Sequence, residues 1–168
     1  MRKMTKANLE AAFAGESQAH MKYAAFAEKA RQEGFPNVGR LFQAISYAEQ
    51  VHATNHLRVL DGVGKTADNL DAAIGGETFE VEEMYAAYKV VAEAQEEKGA
   101  LRSINYAVEA EKIHAVMYSD AKKSVLAGKD ASIGVVHVCD VCGYTGFGEA
   151  PDACPVCKAK KDKFSLFK

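Results

Sequence analysis

Two kinds of residue pattern in this chain could do chemistry, and both are patterns that hold metal. Glu49-Gln50-Val51-His52 returns as Glu111-Lys112-Ile113-His114, and Gly15-Glu16-Ser17 returns as Gly76-Glu77-Thr78. On a helix, residues three apart share a face, so each Glu-x-x-His aims a carboxylate and an imidazole at one spot. Glu77 and Glu80 have the same spacing, and Glu16 stands alone. Hard carboxylate oxygens mixed with imidazole suit iron or manganese better than copper(I). A lone Glu-x-x-His on a charged helix is commonplace, and most glutamates are solvated. It is the matched repetition that favours a pair of cations bound between two equivalent halves. Left without a cation inside a helical core, five carboxylates would each cost several kcal/mol in desolvation.

The second pattern is Cys139-Asp140-Val141-Cys142-Gly143-Tyr144 followed by Cys154-Pro155-Val156-Cys157. Each Cys-x-x-Cys lets a tight turn bring two thiolates onto one ion, and two such turns close a tetrahedral sulfur site. Zinc and a single iron both fit it. So short a segment buries little core and needs the metal to fold. With iron the site carries one electron; with zinc it is a structural ribbon. The di-metal pattern on the same chain favours iron.

Other residues lie close to these sets. Tyr23 sits two helical turns after Glu16, and Tyr85 at a similar offset from Glu77. Each could give a phenol hydrogen bond to a ligand carboxylate, and plain packing explains either one equally well. Glu82, Glu83 and Glu109 read as solvated, and His20 and His56 as ordinary histidines. His52-x-x-x-His56 lacks the glutamate of a zinc protease, because residue 53 is alanine. His137 reads as a structural or surface residue.

These side chains need rods to carry them. Residues 1–127 are rich in Ala, Glu, Lys and Leu and read as four long helices, at about Thr5–Glu33, Asn37–Asp61, Gly76–Gly99 and Ala100–Ala127. Short turns join the first pair and the second pair. A longer join, Val63–Gly75, separates the pairs. The fold class expected is mainly α: a ferritin-like four-helix bundle with one long crossover, plus a small C-terminal β/metal domain whose paired Cys-x-x-Cys turns resemble rubredoxin. A polar stretch with glycine at both ends, Gly128–Gly134, marks the seam, which gives domains 1–133 and 134–168. The chain has 168 residues, with 21 basic against 23 acidic, so it lacks the basic surplus of a nucleic-acid binder. No apolar run is long enough to span a bilayer and the first residues show no secretory apolar core. A soluble, cytoplasmic protein is expected.

Taken together these motifs resemble the rubrerythrin family. The resemblance runs through AFAGESQAHMKY, the first Glu-x-x-His, GETFEVEEMY, AEKIH, CDVCGY and CPVC. It implies a di-iron centre held by Glu16, Glu49, His52, Glu77, Glu80, Glu111 and His114, with Tyr23 and Tyr85 beside it. It also implies one further iron on Cys139, Cys142, Cys154 and Cys157, where zinc can substitute. The activity implied is reduction of hydrogen peroxide to water. Electrons would come from rubredoxin or an NAD(P)H:rubredoxin reductase, since the chain has no nucleotide-binding fingerprint. A homodimer is implied, with one subunit's sulfur-bound iron serving the other's di-iron centre, and the crossover permits exchange of helix pairs. Lys158 departs from the family, which usually has glycine there. Two other readings compete: a ferroxidase or iron-handling protein, which leaves the cysteines unexplained, and a non-enzymatic zinc-ribbon protein, which leaves the repeated Glu-x-x-His unexplained.

Overall fold

The computed structural model describes residues 1–168, and these divide into two compact units, Met1–Gly64 and Lys65–Lys168. The first unit is an antiparallel hairpin of α1 (Lys3–Gln32) and α2 (Pro36–Val59). Gly34 ends α1 with a left-handed φ of 86°, a conformation glycine adopts without penalty. Pro36 opens α2 at the first turn, where its missing N–H has no helical partner to lose. The two helices come closest at Gly39, where a Cβ would lie 2.9 Å from the Ala27 carbonyl oxygen. Ser46 is fully buried. Its hydroxyl donates to the His20 carbonyl at 2.8 Å, and the His20 Nδ1–H donates to the Ser46 carbonyl at 2.9 Å. His20 is therefore a clamp between helices, a role its spacing did not suggest.

In the second unit α3 (Thr66–Phe79) runs through one π-helical turn (Glu80–Met84) into α4 (Tyr85–Ala94), and α5 (Lys98–Leu126) returns alongside. Helix begins here at Thr66, ten residues before the Gly76 expected from sequence (76 − 66), so the join after α2 is short. Gly75 and Gly76 look like a break. Each costs about 1 kcal/mol in a helix interior, which packing of α3 against α5 outweighs. Asp68 in the first turn complements the helix dipole.

The C-terminal segment forms a three-stranded antiparallel sheet of β1 (Val136–Cys139), β2 (Thr145–Phe147) and β3 (Phe164–Phe167), in the order β2-β1-β3. Its core is cysteine rather than aliphatic: Cys139, Cys142 and Cys154 are buried, with Tyr106, Tyr144 and Phe164 against them. His137 is structural rather than a surface residue. It is buried between the rings of Tyr144 and Phe164 and donates Nδ1–H to the Gly148 carbonyl. Opposite it Gly146 leaves room for the imidazole, which any Cβ there would strike. The sheet module rests on α5 along Tyr106, Ala110 and His114, a stripe at four-residue spacing. Tyr106 packs on the cysteines, Ala110 faces Gly143, and His114 meets Thr145. The fold is thus mainly α with a small cysteine-bearing β domain. No helix is long and apolar enough to cross a membrane.

Candidate metal centres

Three groups of donors converge. In the first unit, Glu16 on α1 meets Glu49 and His52 on α2, with ligand atoms all within 4.8 Å of one another. The antiparallel hairpin supplies the cross-helix pairing and the Glu-x-x-His spacing supplies the rest. His52 Nδ1 lies 3.0 Å from Glu49 Oε2. Glu49 is sheltered, with its side chain 16% exposed, while His52 is 54% exposed.

In the second unit, Glu77 on α3 meets Glu111 and His114 on α5 within the same limit. His114 Nδ1 is 2.7 Å from Glu111 Oε2 and 3.9 Å from Glu77 Oε1. Burial, then the hydrogen bond and charge of Glu111, then the charge of Glu80, push the Glu77 carboxyl up to about 7. Burial and the charge of Glu111 raise Glu80 as well. Glu80 thus lies within electrostatic reach of this triad but outside its tight cluster. It occupies the first residue of the π-helical turn, a distortion that recurs at functional sites. Tyr85 follows that turn. Burial and then the charges of Glu80, Glu111 and Glu77 raise its phenol pKa. Tyr23, by contrast, packs its ring among Phe26 and Phe42, each centroid 6.2 Å away. Glu109 pairs with Lys112 in solvent, and Glu82 and Glu83 are exposed.

The donor chemistry of the second triad can be read from its hydrogen bonds. The Thr145 hydroxyl donates to the Gly143 carbonyl at 2.9 Å, so it has only lone pairs left for His114 Nε2, also at 2.9 Å. Nε2 therefore carries a proton at this contact, and Nδ1 faces the carboxyls of Glu111 and Glu77. With no cation among them these groups share protons, as the raised Glu77 carboxyl shows, and a cation bound there would displace those protons. Oxygen-rich sets of this kind fit iron, and these residues fit that metal.

The third group is Cys139, Cys142, Cys154 and Cys157, all within 4.8 Å of each other. The pairs Cys139–Cys157 and Cys142–Cys154 stand 3.6 and 3.5 Å apart, close to the roughly 3.8 Å edge of a tetrahedron with 2.3 Å metal–sulfur bonds. Burial raises the Cys142 thiol, against a backbone N–H from Tyr144. At Cys154 burial also pushes upward, but N–H groups of Cys157 and Val156 prevail and bring it down to about 7. Lys158 takes the left-handed φ of 65° that Gly143 takes at 79°. Its N–H reaches the Cys154 carbonyl at 3.0 Å, as the Gly143 N–H reaches that of Cys139 at 2.9 Å. The second knuckle keeps its hydrogen bonding despite the lysine.

Sequence reasoning missed Thr145. The partner of His114 lies 31 residues away on another element, and no periodicity links the two.

Comparison with known proteins agrees with this architecture. The rubrerythrin family model matches residues 7–122, and the model described as the rubredoxin-like domain of rubrerythrin matches 137–165. Rubrerythrin-2 of Clostridium acetobutylicum is 45% identical over 98% of this chain and 97% of its own length. Nigerythrin of Nitratidesulfovibrio vulgaris is 34% identical over 97% of this chain and 86% of its own. A mixed-valence nigerythrin structure aligns with a TM-score of 0.55 at 33% identity, covering 97% of this chain and 86% of that one, and a fully reduced, all-ferrous form aligns equally well. With its Glu/His groups for a di-iron site and its four-cysteine rubredoxin-type site, this chain belongs to the rubrerythrin family.

Proposed function

We propose that the protein is a non-haem di-iron peroxidase that reduces hydrogen peroxide to water. In this reading Glu16, Glu49 and His52 on one hairpin and Glu77, Glu80, Glu111 and His114 on the other hold two irons. Cys139, Cys142, Cys154 and Cys157 hold a third. Two irons held by the Glu/His residues would supply the two electrons that O–O cleavage needs, and an iron held by the four cysteines would supply one-electron transfer. Carrying over redox-active iron is supported by the mixed-valence and all-ferrous forms of nigerythrin.

The chain's own groups handle position and protons. His114 presents Nδ1 because Thr145 holds Nε2. Tyr85 keeps its proton, because burial and the charges of three carboxylates oppose its loss, so it stands as a hydrogen-bond donor to an oxygen in the site. Tyr23 would play the matching part on the first hairpin. Each hairpin carries three of the clustered donors, too few to hold two irons by itself. Leu41, Ile45 and Val51 on α2 of the first unit, and Val90 and Val91 on α4 of the second, remain exposed, so each unit has apolar side chains that call for a partner. The reading is completed by a homodimer, with hairpins paired within a chain or exchanged between two. Residues 1–133 and 134–168 serve as the di-iron and rubredoxin-like modules. The electron donor is rubredoxin or an NAD(P)H-linked rubredoxin reductase. A cytoplasmic location suits cysteines that must stay reduced.

The observation that carries this reading is the hydrogen bond between His114 and Thr145, which sets the cysteine module directly against the Glu77–Glu111–His114 group. Iron storage has no use for that contact, nor does a zinc ribbon. Stopped-flow mixing of the reduced, iron-loaded protein with peroxide and, separately, with dioxygen tests it. Faster oxidation by peroxide is expected; faster oxidation by dioxygen would favour a ferroxidase.

A further inference from the structure

We infer that Thr145 is a positioning residue for the metal site: its hydroxyl, committed to the Gly143 carbonyl, fixes the tautomer and ring orientation of His114 on the same chain. The inference rests on the reading of His114 as a metal ligand. Three observations carry it.

The first is the direction of the hydrogen bonds. A threonine hydroxyl has one hydrogen, and here it goes to Gly143 O at 2.9 Å. At His114 Nε2 the oxygen can only accept. Imidazoles that bind metal through one nitrogen commonly donate from the other, and that second bond sets ligand orientation. The second is burial. Thr145 is 8% exposed, and an apolar cleft of about 390 Å³ lined by Leu70, Met117, Val136 and Phe147 lies against the pair. Thr145 shelters the bond although the His114 side chain is 25% exposed, so removing the hydroxyl leaves Nε2 without its protein partner. The third is the docking surface. Tyr106, Ala110 and His114 form one face of α5 against the cysteine module, so Thr145 reaches His114 through a packed contact. Gly143 immediately follows the ligand Cys142. The chain Cys142–Gly143–Thr145–His114 therefore ties the two centres of one polypeptide together. The family resemblance implied that a sulfur site serves the opposite subunit; here it is registered on the hairpin of its own chain.

The test compares wild type with Thr145→Val, which keeps shape and removes the hydroxyl, and Thr145→Ser, which restores it. The full chain is labelled at histidine nitrogen and given one equivalent of zinc to fill the cysteine site, and the His114 tautomer is read by NMR at pH 8. Wild type and Thr145→Ser should show the Nε2–H form. Thr145→Val should shift to Nδ1–H, donated to Glu111. Iron(II) affinity at the Glu/His site should fall about 10–100-fold in Thr145→Val, recover in Thr145→Ser, and leave the cysteine site unchanged. An unaltered tautomer in Thr145→Val would overturn the inference, as would equal loss of iron(II) affinity in Val and Ser. Neither arm uses peroxide, so failure of the peroxidase reading would show separately, as metal-loaded protein that peroxide does not oxidise. Should the Glu/His residues take no metal at all, the tautomer still decides the role of Thr145.

Discussion

At the scale of single residues, the governing fact is that carboxylates are held together before any metal arrives. Glu77 is the clearest case, because burial and Glu111 raise it from 4.5 to about 7. A carboxyl whose folded pKa exceeds its unfolded value stabilises the fold fully below the unfolded pKa, and that contribution is lost as pH rises through the folded one. The protein stripped of metal at the Glu/His residues should therefore lose stability between pH 4.5 and about 7. Glu77→Gln should flatten that loss, and iron(II) should reverse it with release of protons. Thermal unfolding across this range checks the sign; stability that rises with pH in wild type relative to Glu77→Gln would contradict it. The six Glu/His residues that converge were nominated from type and spacing, since each Glu-x-x-His is local to one helix, and Glu80, named with them, lies outside the tight clusters. Thr145 and the Ser46–His20 clamp were not, because they exist only once distant elements meet.

At the scale of elements, the π-helical turn Glu80–Met84 sets how Glu77 and Glu80 stand relative to Tyr85. Deleting Val81 would replace the π turn with an α-helical one, removing the local widening that sets Glu80 while leaving the flanking helices nearly in line. Helix content by circular dichroism should barely change, while iron(II) affinity at the Glu/His residues should fall at least about tenfold. Unchanged affinity would show the turn to be incidental. Nothing in Glu80-Val81-Glu82-Glu83-Met84 announces a π turn, since the same residues make an ordinary helix. Three other helix ends were readable from Gly34, Pro36 and Gly128, whereas those before Gly62 and Gly99 were not, because Asp61 and Glu96 take the left-handed φ of 56° there. The start of α3 was not, because Gly75-Gly76 reads locally as a stop and only packing against α5 overrides it. The cysteine module was legible almost whole, because both knuckles are local turns; even the left-handed Lys158 is enforced by the metal-binding turn around it.

At the scale of the whole molecule, the two hairpins each carry an incomplete donor set, and the decisive question is which copies complete each other. A complementation experiment answers it. Glu16→Ala and Glu111→Ala should each lose iron(II) binding at the paired site. If dimers exchange hairpins, unfolding and refolding the two variants together restores roughly a quarter of the sites, since a mixed dimer holds one intact pair. No restoration would mean that each chain completes its own site. The account depends most on the claim that paired irons and a sulfur-bound iron share this polypeptide. Mössbauer spectroscopy of the protein reconstituted with iron-57 tests that claim most directly. The expected result is about three irons per chain, two with oxygen and nitrogen ligation and magnetically coupled when oxidised, one with four sulfurs. Iron confined to the sulfur site, with none at the Glu/His residues, would contradict it.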